Sequence, residues 1–223
     1  MVKIIDLVKR RAGLGVAAFQ DDWKNRHGAL VAALPGLRRY VQSHALPQGY
    51  ARGELLFDGI AEMWFDDIAA AQAALASPAA AEMSRDAARI IDPARLVRMA
   101  VDVHVIKDGA IPQDAVKNIE FVNRRAGMDL QAFRAHWREV HGPIAARIPV
   151  LHRYEQNHLA MAEYVHGEDV PYDGLAITWF RSTADMKQGT LTEEYRRTRA
   201  DEPNFLPDGH LPIIITREHV LKA

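Results

Sequence analysis

Read for its hydrophobic and polar periodicity, the chain runs through one cycle of elements twice. A short strand pattern, Lys3 to Arg10, ends at the turn Arg11-Ala12-Gly13, and a second, Lys117 to Arg124, ends at Arg125-Ala126-Gly127. A helix follows each, from about Ala17 to Ala33 and from Leu130 to Arg147, with Asp129 as N-cap of the second and Gly15 as a weaker cap of the first. Phe19, Trp23 and His27, and again Phe133, Trp137 and His141, recur every fourth residue. Such a stripe drifts by only about 40° per step on a helix, so it must face a core or a cavity. After Pro35 and Pro149 the period becomes two. Tyr40, Gln42 and His44 then share one strand face and Arg39, Val41 and Ser43 the other, as do Tyr154, Gln156, His158 and Arg153, Glu155, Asn157.

Each copy continues with a loop rich in Gly, Pro and charge, Ala45 to Phe57 and Leu159 to Tyr172, which reads as a flexible cover. A third strand (Gly59 to Phe65, Gly174 to Arg181), a second helix and a last strand (Leu96 to Ile106, Leu211 to Leu221) complete it. The alanine-rich stretch Ile68 to Ala81 predicts a helix with an exposed face. The order is βαββαβ twice, and Trp23 and His44 return as Trp137 and His158 at an offset of 114. The expected architecture is therefore α+β, with ferredoxin-like units at 1–108 and 115–223. A four-stranded antiparallel sheet with both helices on one face leaves the other bare. Packing the units sheet to sheet covers it, giving an intrachain α+β barrel that closes within a monomer, with a further homodimer optional.

The spacing F-x3-W-x3-H-G, followed by Arg-Tyr and a polar strand ending in His, resembles the EthD family, and the resemblance spans both halves. It implies a ferredoxin-like unit that pairs with a second into a barrel. The family and its wider barrel relatives host dehydratases, isomerases and oxygenases, and similar barrels hold haem through a histidine.

Composition narrows the chemistry. With 28 basic and 29 acidic residues the net charge is −1, so no positive field gathers nucleic acid or anionic lipid. The chain has no cysteine, which removes disulfides and thiolate chemistry. MVKIIDLVKRR carries Asp6 and Lys9 and reads as neither signal peptide nor membrane span, which leads one to expect a cytoplasmic protein. No HExxH, GxGxxG or GxxxxGK motif occurs, so no metal or other cofactor is expected, and without a GxSxG elbow a Ser-His-Asp nucleophile is unsupported.

The candidate catalytic residues are His141, His158, Tyr154, His27, His44 and Tyr40, because paired imidazoles and phenols suit proton transfer near neutrality. Gln42, Gln156, His104 and His219, with Trp23, Trp137, Trp64 and Trp179, are candidate substrate contacts, although tryptophans at such positions also make cores. Pro143, following His141-Gly142, should break the second helix there, whereas Ala29 lets the first run on. A polar Tyr-x-Gln-x-His face suits a ligand cavity better than a helix-packing layer, so it is expected to turn away from the helices and into the barrel. Tyr and His four residues apart sit about 13 Å apart and cannot bond directly. The leading expectation is a cofactor-independent lyase or isomerase acting on a small aromatic or polyketide-like compound, with the second half doing more of the chemistry. The alternatives are a haem-binding protein or cofactor-free oxygenase, and a non-catalytic small-molecule binder.

Overall fold

The computed structural model describes residues 1–164 and 170–223, so part of the expected loop Leu159 to Tyr172 lies outside the described residues. The elements run β1 (Val2–Val8), α1 (Val16–Asp22), α2 (Gly28–Ala32), β2 (Arg39–Ala45), β3 (Gly59–Phe65), α3 (Ile68–Leu75), α4 (Pro78–Ile90) and β4 (Val97–Lys107). They repeat as β5 (Val116–Val122), α5 (Leu130–Ala135), α6 (Gly142–Ala145), β6 (Arg153–Leu159), β7 (Gly174–Phe180), α7 (Thr183–Gly189), α8 (Glu193–Asp201) and β8 (Ile213–Lys222). The fold is α+β, and the strands form a closed antiparallel barrel in the order β1-β3-β2-β8-β5-β7-β6-β4.

Two compact units divide the chain: Met1–Val101 together with Thr216–Ala223, and Asp102–Ile215. The last strand thus contributes to the unit that begins the chain. Within that unit β1 lies between β3 and β4, and β2 pairs with β3 on one side and with Val220 to Thr216 of β8 on the other. In the second unit β7 pairs with both β5 and β6. β1 is buried on both faces from Lys3 to Val8, which is why its sequence reads as a nearly continuous apolar run.

Each long helix contains a π-helical turn, Trp23–His27 between α1 and α2 and His136–His141 between α5 and α6. The expected difference between the copies is absent: the helix with Ala29 carries the same turn as the helix with Pro143. Proline is tolerated there because it occupies the start of α6, where a missing N–H costs little. The alanine-rich stretch is two helices, since Ser77 caps α4 through Ala80 N and Pro78 takes its first position.

Candidate active site

The repeated motif residues form one interlock in each unit. Trp23 stacks on Phe19 and on His44, with ring centroids 5.3 and 4.5 Å apart. Gln42 Nε2 donates to the Trp23 carbonyl (2.8 Å) and to Tyr40 Oη (2.6 Å), and His44 Nε2 donates to Gln42 Oε1 (2.8 Å). The second unit repeats this. Gln156 donates to the Trp137 carbonyl (2.7 Å) and Tyr154 Oη (3.1 Å), His158 donates to Gln156 (3.0 Å), and Trp137 stacks on His158 at 4.3 Å. Glycine is required opposite the indole: a Cβ on Gly59 would lie 2.7 Å from the Trp23 ring, and one on Gly174 2.8 Å from the Trp137 ring.

The Tyr-x-Gln-x-His face therefore lies against its own helix, which corrects the expected orientation. The physical reason is hydrogen bonding: a π turn offers a backbone carbonyl that a buried glutamine can reach, so the polar face is satisfied by packing. His44 and His158 are pushed down to about 3 and about 2, first by burial and then by the neighbouring His219 and His104. They stay neutral, and they belong to the interlock. His219 and His104 meet them edge-on at 4.5 and 4.7 Å. Trp64 and Trp179 lie on the opposite strand faces, under Lys3 and Lys117.

Between sheet and helices each unit encloses a cavity, of about 180 Å³ in the first and about 190 Å³ in the second. Trp23, His27 and Tyr40 line the first; His141 and Tyr154 line the second. Burial raises both phenols, so neither ionises near neutrality. His27 Nδ1 donates to Asp86 Oδ2 (3.1 Å), and His141 Nδ1 to Asp201 Oδ2 (3.0 Å). Asp201 also accepts from His136 Nε2 (3.1 Å) and Asn204 Nδ2 (2.9 Å). Burial lowers both imidazoles, and the aspartates only partly offset it. Each is thus a neutral ring with Nδ1–H fixed by a carboxylate, which makes Nε2 its basic nitrogen. Among the described residues no cluster of three or more His, Cys, Asp or Glu could hold a metal ion.

The two cavities are not equivalent. In the first, Asp6 accepts from Arg98 Nε and Nη2, each at 2.7 Å. In the second, Glu120 stands in place of Asp6 and Ile213 in place of Arg98, so that carboxyl has Asn118 Nδ2 at 3.0 Å instead of a guanidinium. Burial raises Glu120. Glu202, where the first copy has Ala87, is ion-paired with Arg199, yet burial and the charge of Glu120 push it up to about 7. Glu120, Glu202, Arg199 and the two aspartates were missed in the sequence. Asp86 and Asp201 recur at an offset of 115 beside otherwise divergent residues, and that signal could have found them.

The EthD domain model matches residues 11–94 and again 125–208. The chain belongs to the EthD family. Both matched segments contain the histidine–aspartate pair of their EthD domain. No curated protein matches the chain in sequence. Among solved structures, an anthrone oxidase-like protein is similar over 100% of this chain and 94% of its own, with a TM-score of 0.65 at 8% identity. A proposed monooxygenase from Lactobacillus acidophilus NCFM covers 99% and 94%, with a TM-score of 0.56 at 12% identity. A haem-binding protein from Thermus thermophilus covers 97% and 90%, with a TM-score of 0.54 at 13% identity. At such identities these likenesses establish the fold. Among the described residues no helix is long and apolar enough to cross a membrane.

Proposed function

We propose that the second EthD domain is a cofactor-free acid–base catalyst acting on a small, oxygenated single-ring compound. The observation that carries this reading is one cavity lined both by a neutral, aspartate-held imidazole, His141, and by a carboxyl poised near neutrality, Glu202. His141 Nε2 takes a proton from a substrate O–H or activated C–H, and Asp201 steadies the imidazolium that forms. The electron pair stays on the substrate as a phenolate or enolate. Glu202 in its acid form returns a proton. A cavity of 150 Å³ holds benzene, so about 190 Å³ suits one substituted ring.

The fate of the anion decides the reaction class. Reprotonation at another carbon is an isomerisation, loss of a leaving group a lyase reaction, and capture by dioxygen an oxygenation. The anthrone oxidase-like protein and the proposed monooxygenase that share the fold favour the last. Haem is the competing reading, because a free Nε2 opposite a carboxylate-bonded Nδ1 suits an axial ligand. The cavity nevertheless has room for one ring where a porphyrin needs several, and Glu120 and Glu202 would add two more carboxyls beside a group that already carries two. The residues do not fit that group.

The test is proton exchange. Single-ring phenols and cyclic ketones are incubated in D2O without oxygen and assayed for deuterium uptake, then with oxygen for its consumption. Exchange that His141→Ala removes supports the reading. Ligand binding with neither exchange nor oxygen uptake across the panel would leave a binding protein.

A further inference from the structure

Two polar atoms in the second cavity are left over once its hydrogen bonds are assigned. Asn118 Oδ1 and Thr178 Oγ1 are buried with no partner, and both residues line the cavity. Asn118 is only 7% exposed. The two face each other as a direct cross-strand pair, Asn118 on β5 and Thr178 on β7. An unmade buried hydrogen bond costs about 1–3 kcal/mol, so such a pair persists where something uses it. The first unit supplies an internal comparison: its matching pair is Ile4 and Met63, also directly opposed, and it has no polar atom to satisfy.

The pair is asymmetric. An amide oxygen only accepts, whereas a threonine hydroxyl can donate. A group that satisfies both must donate to Asn118 and take the Thr178 proton; an ammonium could donate to both oxygens but would leave that proton unmet, and a bare carbonyl cannot donate to Asn118. A carboxylate is further disfavoured by Glu120 and Glu202. We infer that Asn118 and Thr178 form a subsite for a hydroxyl group on the ring bound in the second cavity. This rests on the second cavity being the working one and makes its substrate a hydroxylated ring. The first cavity, lined by Met63 at the Thr178 position and with Ile4 as its cross-strand partner, takes apolar rings without that preference.

Phenol and toluene, nearly equal in size, separate the cases. Titration followed at the backbone amides of Ala176 and Ala61 reads the second and first cavities independently. Phenol is expected to bind the second cavity at least tenfold more tightly than toluene, and Asn118→Leu/Thr178→Val to erase most of that difference while toluene binding persists. Should the double variant fail to fold by circular dichroism, Thr178→Val alone, nearly isosteric, is expected to weaken phenol about threefold or more. Toluene binding the second cavity as tightly as phenol, or phenol unaffected in the folded variants, overturns the inference. Binding needs no turnover, so intact phenol selectivity in a wild-type protein that shows neither exchange nor oxygen uptake would sink the proposed reaction and leave the subsite standing.

Discussion

At the scale of single residues, the chemistry lies in long-range pairs. His141 was visible in the sequence through its stripe with Phe133 and Trp137, but its partner Asp201 lies 60 residues away on another helix. No local spacing joins them. The interlock residues Gln156 and His158 carry the more conspicuous motif and do packing work, because a repeated polar motif looks alike whether it binds a ligand or a backbone carbonyl. The kinetic consequence is direct: His141→Ala should lower turnover by about 10² or more, the usual scale for losing a general acid or base. His27→Ala, in the cavity without a neighbouring glutamate pair, should leave turnover nearly unchanged and show mainly in stability. Reversal of that order would move the active site to the first domain. Glu202 is required in its acid form, so kcat/KM should fall as pH rises past about 7. In Glu202→Gln the rate should drop and that alkaline limb disappear from the pH profile.

The elements were legible because the periods are strong, and where they misled the cause was geometric. Alternation assigns Tyr154, Gln156 and His158 to one strand face, yet parity does not say which face meets the helix. Likewise Pro143 suggested a break that the other copy reproduces without proline. Pro143→Ala should therefore keep the π turn, change stability by less than about 1 kcal/mol and leave turnover intact, as thermal unfolding and kinetics would report. Gly174→Ala should behave in the opposite way. Its added methyl meets the Trp137 ring at 2.8 Å and the Asn157 carbonyl, both deeply buried, so overpacking should cost about 1–3 kcal/mol. A denaturation midpoint equal to wild type would mean that the indole can retreat.

For the whole molecule, the duplication could be read from two constant offsets and the α+β barrel from the sheet faces that two such units leave bare. The division of β4 after Val101 and of β8 before Thr216 could not, because nothing in the pattern of either strand marks those points. Four buried imidazoles, His27, His44, His141 and His158, are depressed below their unfolded value of about 6.5. The unfolded chain thus binds protons that the folded chain refuses, and stability is lost as pH falls from about 6.5 through the folded values. Each histidine contributes a slope of up to about 1.4 kcal/mol per pH unit in that window. Glu202, raised from 4.5 to about 7, works in the other direction, as does Glu120, two groups against four. The urea midpoint should accordingly be lower at pH 5 than at pH 7; a higher midpoint at pH 5 would mean that these rings are not neutral.

The placement of Thr216–Ala223 in the first unit also has a consequence in time. During synthesis, residues 1 to 101 emerge first, with one side of β2 lacking the strand that will pair with it. At about 5–20 residues per second, β8 follows some 6–23 seconds later. Until then the nascent chain presents Tyr40 to Ala45 as an unpaired edge, the kind of surface that recruits wrong partners or chaperones. The second unit ends at Ile215, inside the same strand, and its β5 also borders β8, so neither half completes its sheet until the chain is nearly finished.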